Sequence, residues 1–496
     1  MDSIRFKNYR CFTDTGEVKL KTLTFLLGAN NSGKSSFLKF FPLLKQSVGF
    51  RRNGIFLWYA NDVDFKDFGN AVKRGEESIE ISWKYDDFSV NETWGRIRFK
   101  NIPNIKKLFS SKIQLNISMT ISAKKDNSDR LKKLKIEFLD EAIELNIDER
   151  GHIVAVVNDR VFESPSYTMR LNDSVYFLPR ILFYFEKDGD KFSSTYPRFI
   201  ELEKIFEDED MKNIKELMIS NNALYLNKKD YLSLFKYFID KEGLDYDYFR
   251  DLFLLANLND IIETINYRIM AEAYQLSYVK PLRVMPERFY RYQNYAVDEI
   301  DSDGKNLAMF IANLSELELI RFQKWTNNNF GFKIFPVKHE GHVELTIGKE
   351  EEDARNLVDM GFGYTQLLPI ITIIWNSLNG KGRSFFYPRV GETTKTIAIE
   401  QPELHLHPRI QSIFAEVLVK VINSIPSNVD VRFIIETHSE AIINRIGAMI
   451  QTGELDKEKV NVVMFNGINE GLEDYVVEAN FDDNGFLTKW PLGFFL

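Results

Sequence analysis

Gly28, Gly33, Lys34 and Ser35, in the stretch GANNSGKS, follow the spacing G-x-x-x-x-G-K-[ST], and these residue types at this spacing suit a chain of phosphates. The glycines let backbone amides turn inward, the Lys34 ammonium reaches the outer phosphate oxygens, the Ser35 hydroxyl can ligate Mg2+, and a helix opening near Lys34 adds its positive end. Asn30, Asn31, Ser32 and Ser36 supply the other amides and hydroxyls of the loop. Such a loop needs an acid to hold the metal, and TKTIAIEQPELHLHP offers Glu400, placed by a buried run where a strand would end. Gln401 follows Glu400 directly. A neutral amide can orient water but cannot take its proton, so Glu403 is the nearest carboxylate that could assist. His438, in VRFIIETHSE, lies just past another buried run and is placed to sense a terminal phosphate. Gly361, Gly363, Thr365 and Gln366, in GFGYTQ, form a second glycine turn opening onto an apolar helix, suited to phosphate at its N-terminus.

These residues need elements to hold them. IRF and EVKLKTLTFLL read as short strands leading into the glycine loop, with a helix from about Lys34 to Gln46 behind it. From Ile79 to about Phe162 the alternation in IEISW, RIRF, IQLNISMTI, LKIEFL and HIVAVV predicts a sheet, broken by polar turns. Between about Pro197 and Ile320 apolar residues recur at helical spacing; strands return at FKIFPV and VELTIG, and the last part alternates strand with helix. The expected lobes are 1–87 and 338–496, forming one α/β head, with 88–337 as an insertion that is β-rich to about 196 and helical after it.

Composition excludes several classes. With 496 residues and 44% hydrophobic content the chain can bury a large core. It has no uncharged apolar stretch near the ~18 residues of a membrane span, and its first residues lack the apolar core of a signal peptide, so a cytoplasmic protein with no membrane partner is expected. The single cysteine, Cys11, allows no internal disulfide and no thiolate zinc cluster. His405 and His407 have no third ligand near them in the sequence, so zinc is not expected there. A net charge of −8 gives no global case for nucleic-acid binding.

The order GANNSGKS, GFGYTQ, IEQPELHLHP, ETHS resembles the ABC-type ATPases of the SMC, RecF and overcoming-lysogenization-defect branch. It is most similar to the stand-alone bacterial members that finish in a W-P-x-G-F-F box, matched here by DDNGFLTKWPLGFF. FKNYRCF, LLKQS and YVKPLRVMPERFY also match, so the likeness is dense at the two ends and only of type between about 100 and 275. The resemblance implies an α/β, ABC-type P-loop ATPase head with a large mixed β-then-α insertion between Walker A and the signature motif. It implies ATP and Mg2+ as cofactors, with Ser35 and Glu400 on the metal and Gln401 at the position where most such ATPases carry a water-activating glutamate. It also implies a head-to-head dimer in which Thr365 and neighbouring amides complete the partner's site, with ELHLHP at the interface and Phe12 or Arg10 stacked on adenine.

The chain stops at residue 496, too soon after His438 for the nuclease domain that overcoming-lysogenization-defect nucleases carry. Asp482 and Asp483 read as a turn. The expected function is therefore a slow ATPase whose ATP-bound dimer controls a separate effector protein, such as a nuclease, in bacterial anti-phage defence. The alternative is a RecF- or SMC-like DNA-maintenance ATPase that grips nucleic acid; a non-hydrolysing scaffold is a third. Arg283, Arg288, Arg291, Phe289, Tyr290 and Tyr292 divide between contacts to phosphate or an acidic partner and plain packing.

Overall fold

A computed structural model describes residues 1–48, 52–88, 112–124, 128–162, 167–172, 177–187, 190–194, 247, 250–251, 254–255, 258–291, 297, 299–379, 394–426, 429–466 and 475–489. The helical reading at 197–246, the terminal box at 490–495 and Tyr292 lie outside these residues. Compactness groups the chain into two units, Met1–Glu17 with Leu43–Ala273 and Val18–Pro42 with Tyr274–Leu496.

The first unit is built on an antiparallel sheet that runs Asp190–Ser194, Arg180–Lys187, Tyr167–Asn172, His152–Val157, Glu141–Ile147, Asp129–Phe138, Ile113–Ala123, Ser78–Phe88, Ser3–Tyr9, Phe12–Asp14. Ile79, Ile81, Trp83 and Tyr85 are buried while the residues between them are partly exposed, because successive side chains of a strand point to opposite faces. A helix, Leu258–Tyr274, covers part of this unit with Ile261, Ile262, Ile265 and Ile269. Its buried polar residues include two asparagines. Asn266 accepts from the Leu178 amide at 2.7 Å and donates to the Leu178 carbonyl at 2.8 Å; Asn259 does the same for Ile181, at 2.8 and 2.9 Å. Each side-chain amide thus stands in for a neighbouring strand, satisfying backbone groups whose burial unpaired would be costly. Gln46, in LLKQS, is used in the same way, bonded to the backbone of Leu57 and Val63.

The second unit carries a mostly parallel sheet in the order Ser277–Val279, Lys395–Glu400, Val431–Glu436, Leu23–Gly28, Val460–Phe465, with Val476–Ala479 antiparallel at the edge. The central strands are mostly apolar, and all six residues of Leu23–Gly28 and Val460–Phe465 are buried, as expected where helices cover both faces. The helices Phe362–Asn379, Pro408–Ser424 and Glu440–Gln451 close the core around Ile399, Ile435, Leu418 and Ile446. A smaller antiparallel sheet, in which His342–Gly348 pairs with Lys333–His339, Tyr290–Arg291 and Arg355–Asn356, includes both expected strands FKIFPV and VELTIG. Because parallel strands end on the same side, this sheet delivers Gly28, Glu400 and Glu436 to one edge.

The expected helix from Lys34 to Gln46 forms as two, Lys34–Leu38 and Phe40–Ser47. Pro42 has no amide hydrogen to give to the carbonyl four residues back, which accounts for the break. Asp482 makes the expected turn, accepting from the amides of Asn484 and Phe486 at 3.0 and 2.7 Å. No helix among the described residues is long and apolar enough to cross a membrane.

Candidate nucleotide-binding site

The strand Leu23–Gly28 ends in a loop whose shape depends on glycine. Gly28 has φ +147°, and a Cβ there would lie 2.4 Å from the Phe465 carbonyl oxygen and 2.8 Å from Ser32 Oγ, so no side chain fits. Gly33 has φ +103° and caps the Lys34–Leu38 helix. Asn30 and Asn31 are exposed, Ser32 is buried, and Gly33, Ser35 and Ser36 are partly buried. Lys34 is 3% exposed, with Nζ donating to the carbonyls of Gly28 at 3.0 Å and Ala29 at 2.6 Å. Burial lowers its pKa, and the charges of Glu436 and Glu403 oppose that shift.

Glu400 closes its strand as predicted. It pairs in parallel register with Glu436, the last residue of the neighbouring strand, and both are 2% exposed. Tyr278, from the strand on the other side, donates its hydroxyl to Glu400 Oε1 at 2.6 Å. Ser35 Oγ donates to Glu436 Oε1 at 2.8 Å. Burial raises the pKa of both carboxyls; for Glu436, burial and the adjacent Glu400 charge push it up to about 7. The sequence expectations include His438 of ETHSE but not Glu436. The signal was present, since KTIAIE and VRFIIE are apolar runs that each end in glutamate.

Beyond the two strands the chain is held by side chains. Gln401 has φ +44°, a conformation that non-glycine residues seldom take, and its amide donates to the Glu436 carbonyl at 2.8 Å. Arg283 is 5% exposed and donates to the carbonyls of Glu400 and Gln401 at 3.2 and 3.4 Å; burial lowers its pKa to about 10. Glu403 accepts from the Thr437 hydroxyl and the His438 amide, both at 2.7 Å. Its carboxylate therefore grips the turn that carries the histidine. Burial raises its pKa as well.

His438 sits in this turn with its pKa lowered to about 4, by burial first and then by the Lys34 charge. It is a neutral imidazole near pH 7, able both to donate and to accept. Because the folded value lies below the ordinary one, protonation favours the unfolded chain, and this histidine's contribution to stability is lost as pH falls from about 6.5 toward 4. In an NMR titration of the six histidines, the His438 ring is expected to stay neutral from pH 7.5 to 5.5; a midpoint near 6.5 would contradict its burial.

The second glycine turn forms where expected. Gly361, at φ +84°, ends a short 3-10 turn, and the helix Phe362–Asn379 begins directly after it. Gly361 is exposed, whereas Thr365 and Gln366 are 5% and 3% exposed. What this turn presents is backbone, and the two side chains are packed inside their own unit.

The expectation that Phe12 or Arg10 stacks on adenine is corrected. Phe12 is fully buried in the first unit and the Arg10 guanidinium lies 4.8 Å over the Phe65 ring, so neither is presented to a base. His407 caps the helix Pro408–Ser424, its Nδ1 accepting from the Arg409 amide at 3.2 Å. Among the described residues no group of three or more His, Cys, Asp or Glu could hold a metal ion. Arg288 pairs with Asp359, Phe289 packs edge-on to His339, and Arg291 is exposed.

Two buried polar atoms test whether this edge fits a nucleotide. Ser32 Oγ, in the glycine loop, and Glu436 Oε2, beside Ser35, are both buried without a hydrogen-bond partner. Phosphate oxygens and a divalent cation would supply what each lacks, and the donor set fits them. A parallel sheet that brings a phosphate loop and a strand-end acid to one edge, with a neutral histidine just beyond the next strand, defines an ABC-type P-loop ATPase. Comparison with known sequences agrees: residues 1–443 match the family described as AAA ATPase domain, and the chain belongs to it.

The chain is also 24% identical over 430 residues to endonuclease GajA of Bacillus cereus (strain HuB5-5), a match that covers 85% of this chain and 52% of GajA, about half of that protein's length. Among solved structures, an SMC head bound to the C-winged helix domain of ScpA aligns with TM-score 0.37 at 10% identity, covering 97% of this chain and 98% of that one. An SMC head from Thermotoga maritima aligns with TM-score 0.32 at 8% identity, covering 97% and 98%.

Proposed function

We propose that this chain is a slow ATP-driven switch, whose ATP-bound, head-to-head dimer controls a separate effector protein in anti-phage defence. The observation that carries the reading is the water-activating position: Gln401 is neutral, and Glu403, the nearest alternative, is already bonded to Thr437 and His438. A site that binds phosphate and metal but lacks a free base there would hold ATP longer than it takes to bind it. The likeness to an endonuclease over half of that protein's length supports an ATPase that works with a nuclease-type effector.

Each residue then has a task. Lys34 and the loop amides hold the phosphates, and Ser35 and Glu400 hold Mg2+, which would neutralise charge on the transferring phosphoryl group. Tyr278 fixes the Glu400 carboxylate, Gln401 orients water, and neutral His438 faces the terminal phosphate. In a dimer, the backbone of the turn from Gly361 to Gly363 meets the partner's nucleotide, with Thr365 and Gln366 buttressing it from within.

Glu403 acts through His438 and Thr437. Glu403→Ala is expected to lower the single-turnover hydrolysis rate about tenfold, with ATP affinity nearly unchanged, because it releases a positioned group. A wild-type rate in this variant would remove Glu403 from the account.

The test of the whole reading is the polypeptide content and mass of the complex purified at native level from its host with ATP and Mg2+. A second protein with nuclease or other toxic chemistry is expected. A homodimer alone, or one that retains nucleic acid, would overturn the reading in favour of a DNA-maintenance ATPase.

A further inference from the structure

We propose that Glu436 is a direct ligand of the divalent cation, so that the metal is held by Ser35 together with two carboxylates, Glu400 and Glu436, on adjacent strands. The inference rests on the chain binding ATP with a metal, and goes beyond the usual arrangement of one hydroxyl and one strand-end acid.

Three features support it. First, of the two acids it is Glu436 that touches the Ser35 hydroxyl, with Oε1 2.8 Å from Oγ. A hydroxyl that gives its proton to a carboxylate keeps its lone pairs for a cation. Second, the other oxygen of the same carboxylate, Oε2, is buried without a partner in a residue only 2% exposed. An unsatisfied carboxylate oxygen is among the more costly groups to bury, and it is retained where something supplies the missing partner. Third, Glu400 stands beside it in register, so two acidic side chains share one buried strand end, and an intervening cation turns their repulsion into attraction.

The segment that follows Glu436 does not depend on its carboxylate. The helix that follows is capped by Ser439, whose Oγ accepts from the Ile442 amide at 3.1 Å, and the His438 turn is held by Glu403. Mg2+ takes one or two carboxylates in addition to phosphate oxygens and water, which matches the set available.

The test separates metal from nucleotide. ATP affinity is measured by calorimetry in EDTA and in Mg2+, for wild type, Glu436→Gln and Glu400→Gln. Glu436→Gln is expected to bind ATP in EDTA as tightly as wild type or more so, and to lose at least tenfold of the gain that Mg2+ confers, as Glu400→Gln does. A Mg2+ gain equal to that of wild type would overturn the proposal. Wild type that binds no ATP in EDTA or in Mg2+ would overturn the nucleotide reading itself.

Because Glu436→Gln removes a buried contact and could impair folding, a second measurement uses the unaltered chain. With Mn2+, ATP and protein carrying 13C at the glutamate carboxyl carbons, electron-nuclear double resonance is expected to show two directly coordinated glutamate carboxylates. A single one would overturn the proposal that two carboxylates hold the cation.

Discussion

Lys34→Ala is expected to weaken ATP binding about 100-fold and to reduce hydrolysis by roughly a thousandfold, with the unfolding temperature little changed. The Nζ now donates to the Gly28 and Ala29 carbonyls at the mouth of the loop, within reach of any phosphate the loop encloses. Charge-assisted hydrogen bonds contribute about 1.5–3 kcal/mol each, and one or two of them account for about 3 kcal/mol, or 100-fold in affinity. Extra loss in rate follows because charge on the phosphoryl oxygens shifts during transfer, when a fixed cation counts most. Calorimetry and phosphate release measure the two effects. An affinity within threefold of wild type would mean that Lys34 is a loop strut and that the phosphates lie elsewhere.

Gln401→Glu is expected to act in the opposite direction, raising the single-turnover rate tenfold or more. General-base assistance contributes about 10²- to 10⁴-fold, and a new carboxylate beside Glu400 and Glu436 should recover part of it. The backbone at this residue is already fixed by its amide bond to the Glu436 carbonyl and by Arg283, so the substitution changes chemistry more than geometry. Rapid-quench measurement with excess protein isolates this step from product release. A rate equal to or below that of wild type would show that residue 401 does not face the attacking water, and the slow-switch reading would lose its main support.

The parts of this site that were legible in the sequence are those where a residue type is forced by the backbone. Gly28 and Gly33 occupy conformations closed to other residues, and Glu400 ends a run whose apolar character could only belong to an interior strand. Glu436 was equally visible in form, but its meaning comes from register: only the pairing of the two strands sets it beside Glu400. Burial was harder to foresee. Thr365 and Gln366 look like polar residues of an exposed turn, yet the helix they begin packs into the core, and Phe12 follows a tight turn but faces inward. The buried asparagines at 259 and 266 carry no pattern in one dimension, since the backbone groups they satisfy are 78 and 88 residues away.

The strand Val431–Glu436 is hydrogen-bonded along both edges, to Lys395–Glu400 and to Leu23–Gly28. A strand clamped on both sides is a fixed rail that cannot slide when a phosphate leaves. The three residues after it, Thr437 to Ser439, are held more lightly, by the side chains of Glu403 and Gln411 and by a 3.3 Å bond from the Thr437 amide to the Leu26 carbonyl. The protein's clock would then be a short latch on a rigid bed, and its period would be set by how long two carboxylate bonds stay closed.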